Sequence, residues 1–177
     1  MSEPTPSPAT AGDGHEATDA ITPLVAMSAN AGDPVARFLL DHGHLWHGST
    51  LGRSHRGTPQ QCYANAWNSV RRSAHLQYCE GWAHPEHFSI AVRHAWIVDS
   101  RTNTVIERTW PTGPNAHYLG VVIPRAIAAE AKKRSSPVTL EVLYGEWARD
   151  DWLTGTGQLP AIAKYTAEVT ATGMRRP

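Results

Sequence analysis

The chain has 177 residues, and its sixteen Lys and Arg balance sixteen Asp and Glu, so it is long enough for one domain with a real core and carries no overall field toward nucleic acid or an anionic membrane. Two cysteines, Cys62 and Cys79, are too few to staple a small secreted fold and lack the paired spacing of a zinc site. No stretch approaches the roughly twenty apolar residues of a spanning helix. No Lys or Arg precedes Arg37 and no long apolar run opens the chain, so neither a signal peptide nor a transit sequence is expected, and the expected location is the cytoplasm.

Residues 1–22 are mostly Pro, Ser, Thr, Ala, Gly and acidic residues with little to bury, which reads as a disordered tail. Residues 23–155 are expected to form a single α+β domain. Asp33 before Pro34 looks like an N-cap and first helical position, and Val35, Phe38 and Leu39 give a short apolar stripe ending near Gly43. From Gly43 to Gly57 four glycines and His44, His47 and His55 without periodicity read as a long loop. Thr58-Pro59-Gln60-Gln61 has a capping-box pattern that predicts a helix from there to about His75, with Cys62 in its first turn and Ala66 and Val70 on the same face.

The run from Phe88 to Val98 alternates, so Phe88, Ile90, Val92, His94, Trp96 and Val98 are expected on one face of a strand. Ser100 to Asn103 makes a turn, and Thr104 to Thr109 returns as the second strand of a hairpin. A loop of even length places Glu107 on the same face as His94. Tyr118 to Ile123 reads as a strand, Pro124 to Arg134 as a helix whose basic finish suits its dipole, and Val138 to Tyr144 as another strand. Residues 156–177 mix Gly, Thr and Ala and are expected to be a poorly ordered tail with at most one short helix.

A free cysteine has a pKa of about 8.5, so a nucleophilic thiol needs help to ionise near neutrality, and a helix N-terminus and an imidazole both supply it. Cys62 has the first by position and gains the second if His94 comes across from the strand. Glu107 is then placed to orient the imidazole, and Gln60, Gln61 and the helix amides to donate to an oxyanion. Taken singly, each residue has a plainer reading: a small buried thiol, a hydrogen-bonded core histidine and an exposed charge. It is their order on helix, strand and strand that points to acyl transfer.

The segments Gln61-Cys62-Tyr63-Ala64-Asn65-Ala66, Tyr78-Cys79-Glu80-Gly81, His94-Ala95-Trp96-Ile97-Val98-Asp99, Val105-Ile106-Glu107-Arg108-Thr109-Trp110 and Tyr118-Leu119-Gly120-Val121 resemble small bacterial and phage proteins of the papain-like and transglutaminase-like superfamily. The resemblance spans about Pro59 to Ile123. It implies N-terminal helices packed on a small antiparallel sheet and cysteine-dependent acyl transfer, usually hydrolysis of an amide or isopeptide bond. Cys62 would be the nucleophile, His94 the general base and Glu107 the orienting acid, with Asn65, Trp96 and Trp110 beside Gln60 and Gln61 near a peptide or other acyl substrate. Such proteins typically carry Asp-Pro on the third strand, where this chain has Glu107-Arg108. The reading calls for no cofactor and no metal, and nothing marks an oligomer interface.

Three rivals stand beside it. Leu45-Trp46-His47-Gly48-Ser49 resembles the His-bearing strand of ADP-ribosyltransferases, with Tyr144 and Glu146 as the remaining parts. His42, His44 and His47, with His84 and His87, would be the material of a metal site. A non-catalytic binding or structural module would use Trp67, Trp82, Trp96 and Trp110 to line a groove. It is told from the enzyme by whether Cys62 and His94 meet in an open cleft.

Overall fold

The computed structural model describes residues 19–51, 57–86, 88–110, 114–134, 141–145 and 157–173; the expected N-terminal tail lies almost wholly outside them. In chain order the described elements are α1 (Thr22–Asn30), α2 (Pro34–His42), β1 (His44–His47), β2 (Thr50–Leu51), α3 (Cys62–Val70), β3 (Leu76–His84), β4 (Val92–Asp99), β5 (Thr104–Glu107), β6 (His117–Ile123), α4 (Arg125–Arg134) and α5 (Gln158–Gly173). The strands form one sheet in the order β1-β6-β3-β4-β5-β2. Every neighbouring pair is antiparallel except β2 with β5. The fold is α+β. No described helix is long and apolar enough to cross a membrane.

Both faces of the sheet are covered. On the first, Tyr78, Ala95, Ile97, Val121 and Ile123 pack against Leu39 of α2, Ala66 and Val70 of α3, and Ile127, Ala128 and Ala131 of α4. On the second, Cys79, Trp96, Val98, Val105, Tyr118 and Val122 join Trp46. Gly120 lies on this second face with the Trp96 indole directly over it, and a Cβ there would collide with that ring and with the Glu80 carbonyl. α5 closes the edge of β6 beyond the end of β1: the Thr166 hydroxyl accepts from Val122 N–H at 2.9 Å, in the place a further strand would take.

Several expectations hold. Asp33 caps α2, its carboxylate accepting from Val35 N–H and Ala36 N–H, and the helix ends before Gly43. The hairpin of β4 and β5 pairs Val98 with Val105 and Asp99 with Thr104. β6 and α4 lie where the sequence places them.

Others are corrected. The expected loop after Gly43 contains β1, paired along its length with β6, and α1 is a helix that sequence patterning did not mark. The capping box does not form: α3 starts at Cys62, Gln61 is its N-cap without a side-chain bond, Gln60 stands at φ 62°, and the helix stops at Val70. Phe88 and Ile90 are exposed and precede β4, so the strand does not extend back to them. Leu76–His84 is a full strand, β3. Of the strand expected over Val138 to Tyr144, residues 138–140 lie outside the described residues and 142–144 form bends, because Val142 and Leu143 N–H groups bond the Glu80 carboxylate instead of a strand. In place of a loose C-terminal tail, α5 runs for 16 residues and buries Ile162, Thr166 and Thr170.

Candidate active site

Cys62 is the first residue of α3, and Ala66 and Val70 below it anchor the same helix face in the core. The entry into the helix is fixed by Asn65. Its Oδ1 accepts from Thr58 N–H at 3.0 Å, and its amide nitrogen donates to Thr58 C=O at 2.8 Å and to the Thr109 hydroxyl at 3.1 Å. Gly57 N–H donates to Arg108 C=O at 2.8 Å. The segment before the thiol is thereby tied to the end of β5, and Cys62 is held beside β4.

His94, on β4, pairs across the sheet with Gly81, which leaves no side chain opposite the imidazole. The ring has no solvent exposure. Its Nε2 lies 2.8 Å from Glu107 Oε2, and the other carboxylate oxygen accepts from Thr109 N–H at 2.6 Å and Trp110 N–H at 3.2 Å. The Tyr118 hydroxyl approaches Glu107 Oε2 at 3.4 Å. Trp110 stacks on the imidazole, with ring centres 3.6 Å apart and planes 13° apart, and Trp96 lies on a near-parallel plane at 6.4 Å. Phe88 continues the column outward from Trp110.

With Nε2 engaged by Glu107, Nδ1 is the nitrogen left for the thiol. It is buried and has no fully formed hydrogen bond, yet Cys62 is close enough to favour the charged ring. A contact of that kind tightens when substrate arrives. Burial alone would push the His94 pKa down; the nearby Cys62 thiol and the hydrogen-bonded Glu107 carboxylate outweigh it and hold the pKa up at about 9. Burial likewise opposes ionisation of Glu107, but the His94 hydrogen bond and charge and the two backbone donors keep its carboxyl below the usual range. Cys79 is different: full burial and the neighbouring Glu80 push its thiol well up.

The structure brings Cys62, His94 and Glu107 together and separates the remaining candidates by what they touch. Trp110 covers the imidazole. Trp96 is 1% exposed behind it and does not reach a substrate, a correction that follows from its seat over Gly120. Asn65 is corrected too, since both of its amide hydrogens are already used in holding the helix entry. Gln60 is exposed and Gln61 half-buried in the turn just before the thiol. Sequence reasoning missed the Tyr118 hydroxyl, although Tyr118 falls on the second face with His94 and Trp96, which was the available signal.

The rivals fare as follows. His47 and His117 are opposed across β1 and β6 with Nδ1 atoms 3.2 Å apart, and His84 pairs with His117 on the next strand. His87 lies outside the described residues, and among those described no group of three His, Cys, Asp or Glu side chains is arranged to hold a metal. The Tyr144 hydroxyl accepts from Trp82 Nε1 at 2.7 Å and donates to Asp33 at 3.2 Å, a structural role; Glu146 lies outside the described residues. Compared with protein-family models, with curated proteins and with solved structures, the chain finds no match in any of the three.

Proposed function

We propose that the chain is a cysteine-dependent acyl-transfer enzyme of the papain-like and transglutaminase-like kind, hydrolysing an amide or isopeptide bond. The observation that carries this is the buried imidazole of His94, 2.8 Å from the Glu107 carboxylate and with the Cys62 thiol near enough to favour the charged ring. His94 takes the thiol proton, and the sulfur attacks the substrate carbonyl to form a C–S bond. The imidazolium then gives its proton to the departing amine as the C–N bond breaks. Water, deprotonated by His94, cleaves the thioester and restores the thiol. Glu107 stays ionised throughout, orienting the ring and favouring its charged form. The first-turn N–H groups of α3, which have no side-chain cap, face the position where the oxyanion develops if the carbonyl carbon sits on the sulfur.

A second reading, a binding or structural module of the same fold, is favoured by one observation: His94 is wholly buried and Cys62 is 8% exposed. The alkylation rate of Cys62 by iodoacetamide from pH 4 to 9, in a Cys79→Ala background, separates the two. The expected result is reaction well below the reference thiol pKa of about 8.5, lost in His94→Ala. A thiol that reacts only after denaturation, or that titrates identically with and without His94, would overturn the enzyme reading in favour of the module.

A further inference from the structure

A cleft of about 460 Å³ opens on the outer side of α3 and is lined by Gly57, Asn65, Asn68, Ser69, Arg71, Arg72 and Arg108. Its walls bring three guanidinium groups together with two carboxamides and a hydroxyl, and no acidic residue among those lining it. Neither Arg71 nor Arg72 has a described carboxylate within ion-pair distance. The carbonyls at the end of α3 do not hold these arginines. Arg125 occupies that position, its guanidinium donating to the Val70 carbonyl at 2.6 Å and also to the carbonyls of Ser73 and Leu76. The positive charge of Arg71 and Arg72 is therefore left facing the cleft.

The cleft adjoins the catalytic group. Asn65, on its wall, bonds the Thr109 hydroxyl, and Thr109 N–H bonds Glu107 Oε1. Asn65 and Ser69 lie three and seven residues beyond Cys62 on the same helix, one stripe to the side of the buried face. A substrate laid along α3 with its carbonyl on Cys62 extends toward the arginines.

We propose that this cleft is a specificity subsite for an anionic oxygen group, carboxylate or phosphate, carried by the acyl substrate of Cys62. Guanidinium forks recognise both groups by paired N–H donors, and the Asn68 carboxamide supplies a further donor, since Asn65 and Ser69 spend their hydrogens within α3 and its entry. The substrate class follows: an amide or isopeptide whose flanking part is acidic. This rests on the acyl-transfer reading for the identity of the substrate, but not for the binding of the anion.

The test has two arms, and Arg71 and Arg72 are exposed, so Arg71→Gln/Arg72→Gln is expected to fold. In the first, inorganic phosphate and, separately, succinate are titrated while the backbone amide signals of Asn68 and Ser69 are followed by NMR. Saturable shifts are expected, weakened at least tenfold in the double variant and unchanged in Lys132→Gln. Preference for one titrant identifies the oxygen group. Shifts that never saturate, or that survive in the double variant, overturn the subsite. In the second arm the rate of Cys62 alkylation by anionic iodoacetate is divided by that with neutral iodoacetamide, at low ionic strength. This ratio is expected to fall several-fold in the double variant, because the arginines raise the local concentration of anions. A ratio that does not move severs the cleft from Cys62 and overturns the proposal. A Cys62 inert to both reagents beside saturable phosphate binding instead sinks the catalytic reading and leaves an anion-binding cleft.

Discussion

Two glutamates are buried in neighbouring parts of one sheet, and they are in opposite electrostatic states. Glu107, on the second face, has an imidazole at 2.8 Å and two backbone donors, and its carboxyl is held below the usual range. Glu80, on the first face, is just as deep, but its donors are neutral: the Tyr78 hydroxyl at 2.7 Å and the Val142 and Leu143 N–H groups. Desolvation dominates there and pushes its pKa up to about 8. Depth is therefore not what decides the charge of a buried carboxyl; the charge of its partner is. Glu107 serves the chemistry, and Glu80 fastens residues 141–145 to the sheet.

The contrast can be broken most severely at Glu80. Glu80→Ala strands two buried N–H groups and a hydroxyl and leaves a cavity, with an expected loss of about 3 to 5 kcal/mol by urea unfolding. A loss below about 1 kcal/mol would mean that water replaces the carboxylate. Glu107→Gln keeps the shape and removes the charge. The expected loss is about 1.5 to 3 kcal/mol for a charged hydrogen bond, and the His94 titration midpoint, followed by NMR of the ring protons, should fall from about 9, the Cys62 contribution remaining. An unchanged midpoint would transfer the charge-favouring role to Cys62 and the stacked Trp110.

The smallest effect is on pH dependence. His94 is raised from 6.5 to about 9, so its stabilisation is complete below 6.5 and is lost as pH rises through 9. Glu80 is raised from 4.5 to about 8, so its stabilisation is complete below 4.5 and is lost as pH rises through 8. Both slopes run the same way. Glu107 runs oppositely, losing its stabilisation as pH falls below its ordinary 4.5 and through its lowered folded value. The thermal midpoint should therefore decline from pH 6.5 to 9, and decline less in Glu107→Gln. A flat profile in the parent would contradict both assignments.

What could be read in the sequence follows from the same physics. The meeting of His94 and Glu107 was legible because the period of two and an even turn from Ser100 to Asn103 fix which residues share a face. Cys62 with Ala66 and Val70 was legible from the four-residue spacing of one helix. β3 was not, because Gln77 and Glu80 sit inside a strand buried on both faces, where polar residues interrupt a pattern that burial would otherwise make continuous. α5 was hidden by its threonines, which are buried only because Thr166 and Thr170 return their hydroxyls to carbonyls four residues back. The start of α3 was misread because Asn65, seven residues from Thr58, settles it by a contact that no local pattern encodes.

The seat of Trp96 over Gly120 gives the molecule a gauge of depth. The sheet has no side chain at Gly120 or at the facing Gly81, and the indole edge settles over Gly120, with the imidazole beside it along β4 and Trp110 stacked on the imidazole. One added methyl group at Gly120 would collide with that edge and with the Glu80 carbonyl, so the indole beside the imidazole, or the strand under it, would have to shift. A change of a single carbon at this glycine, which touches neither Cys62 nor His94, would thus be felt at the indole beside the imidazole.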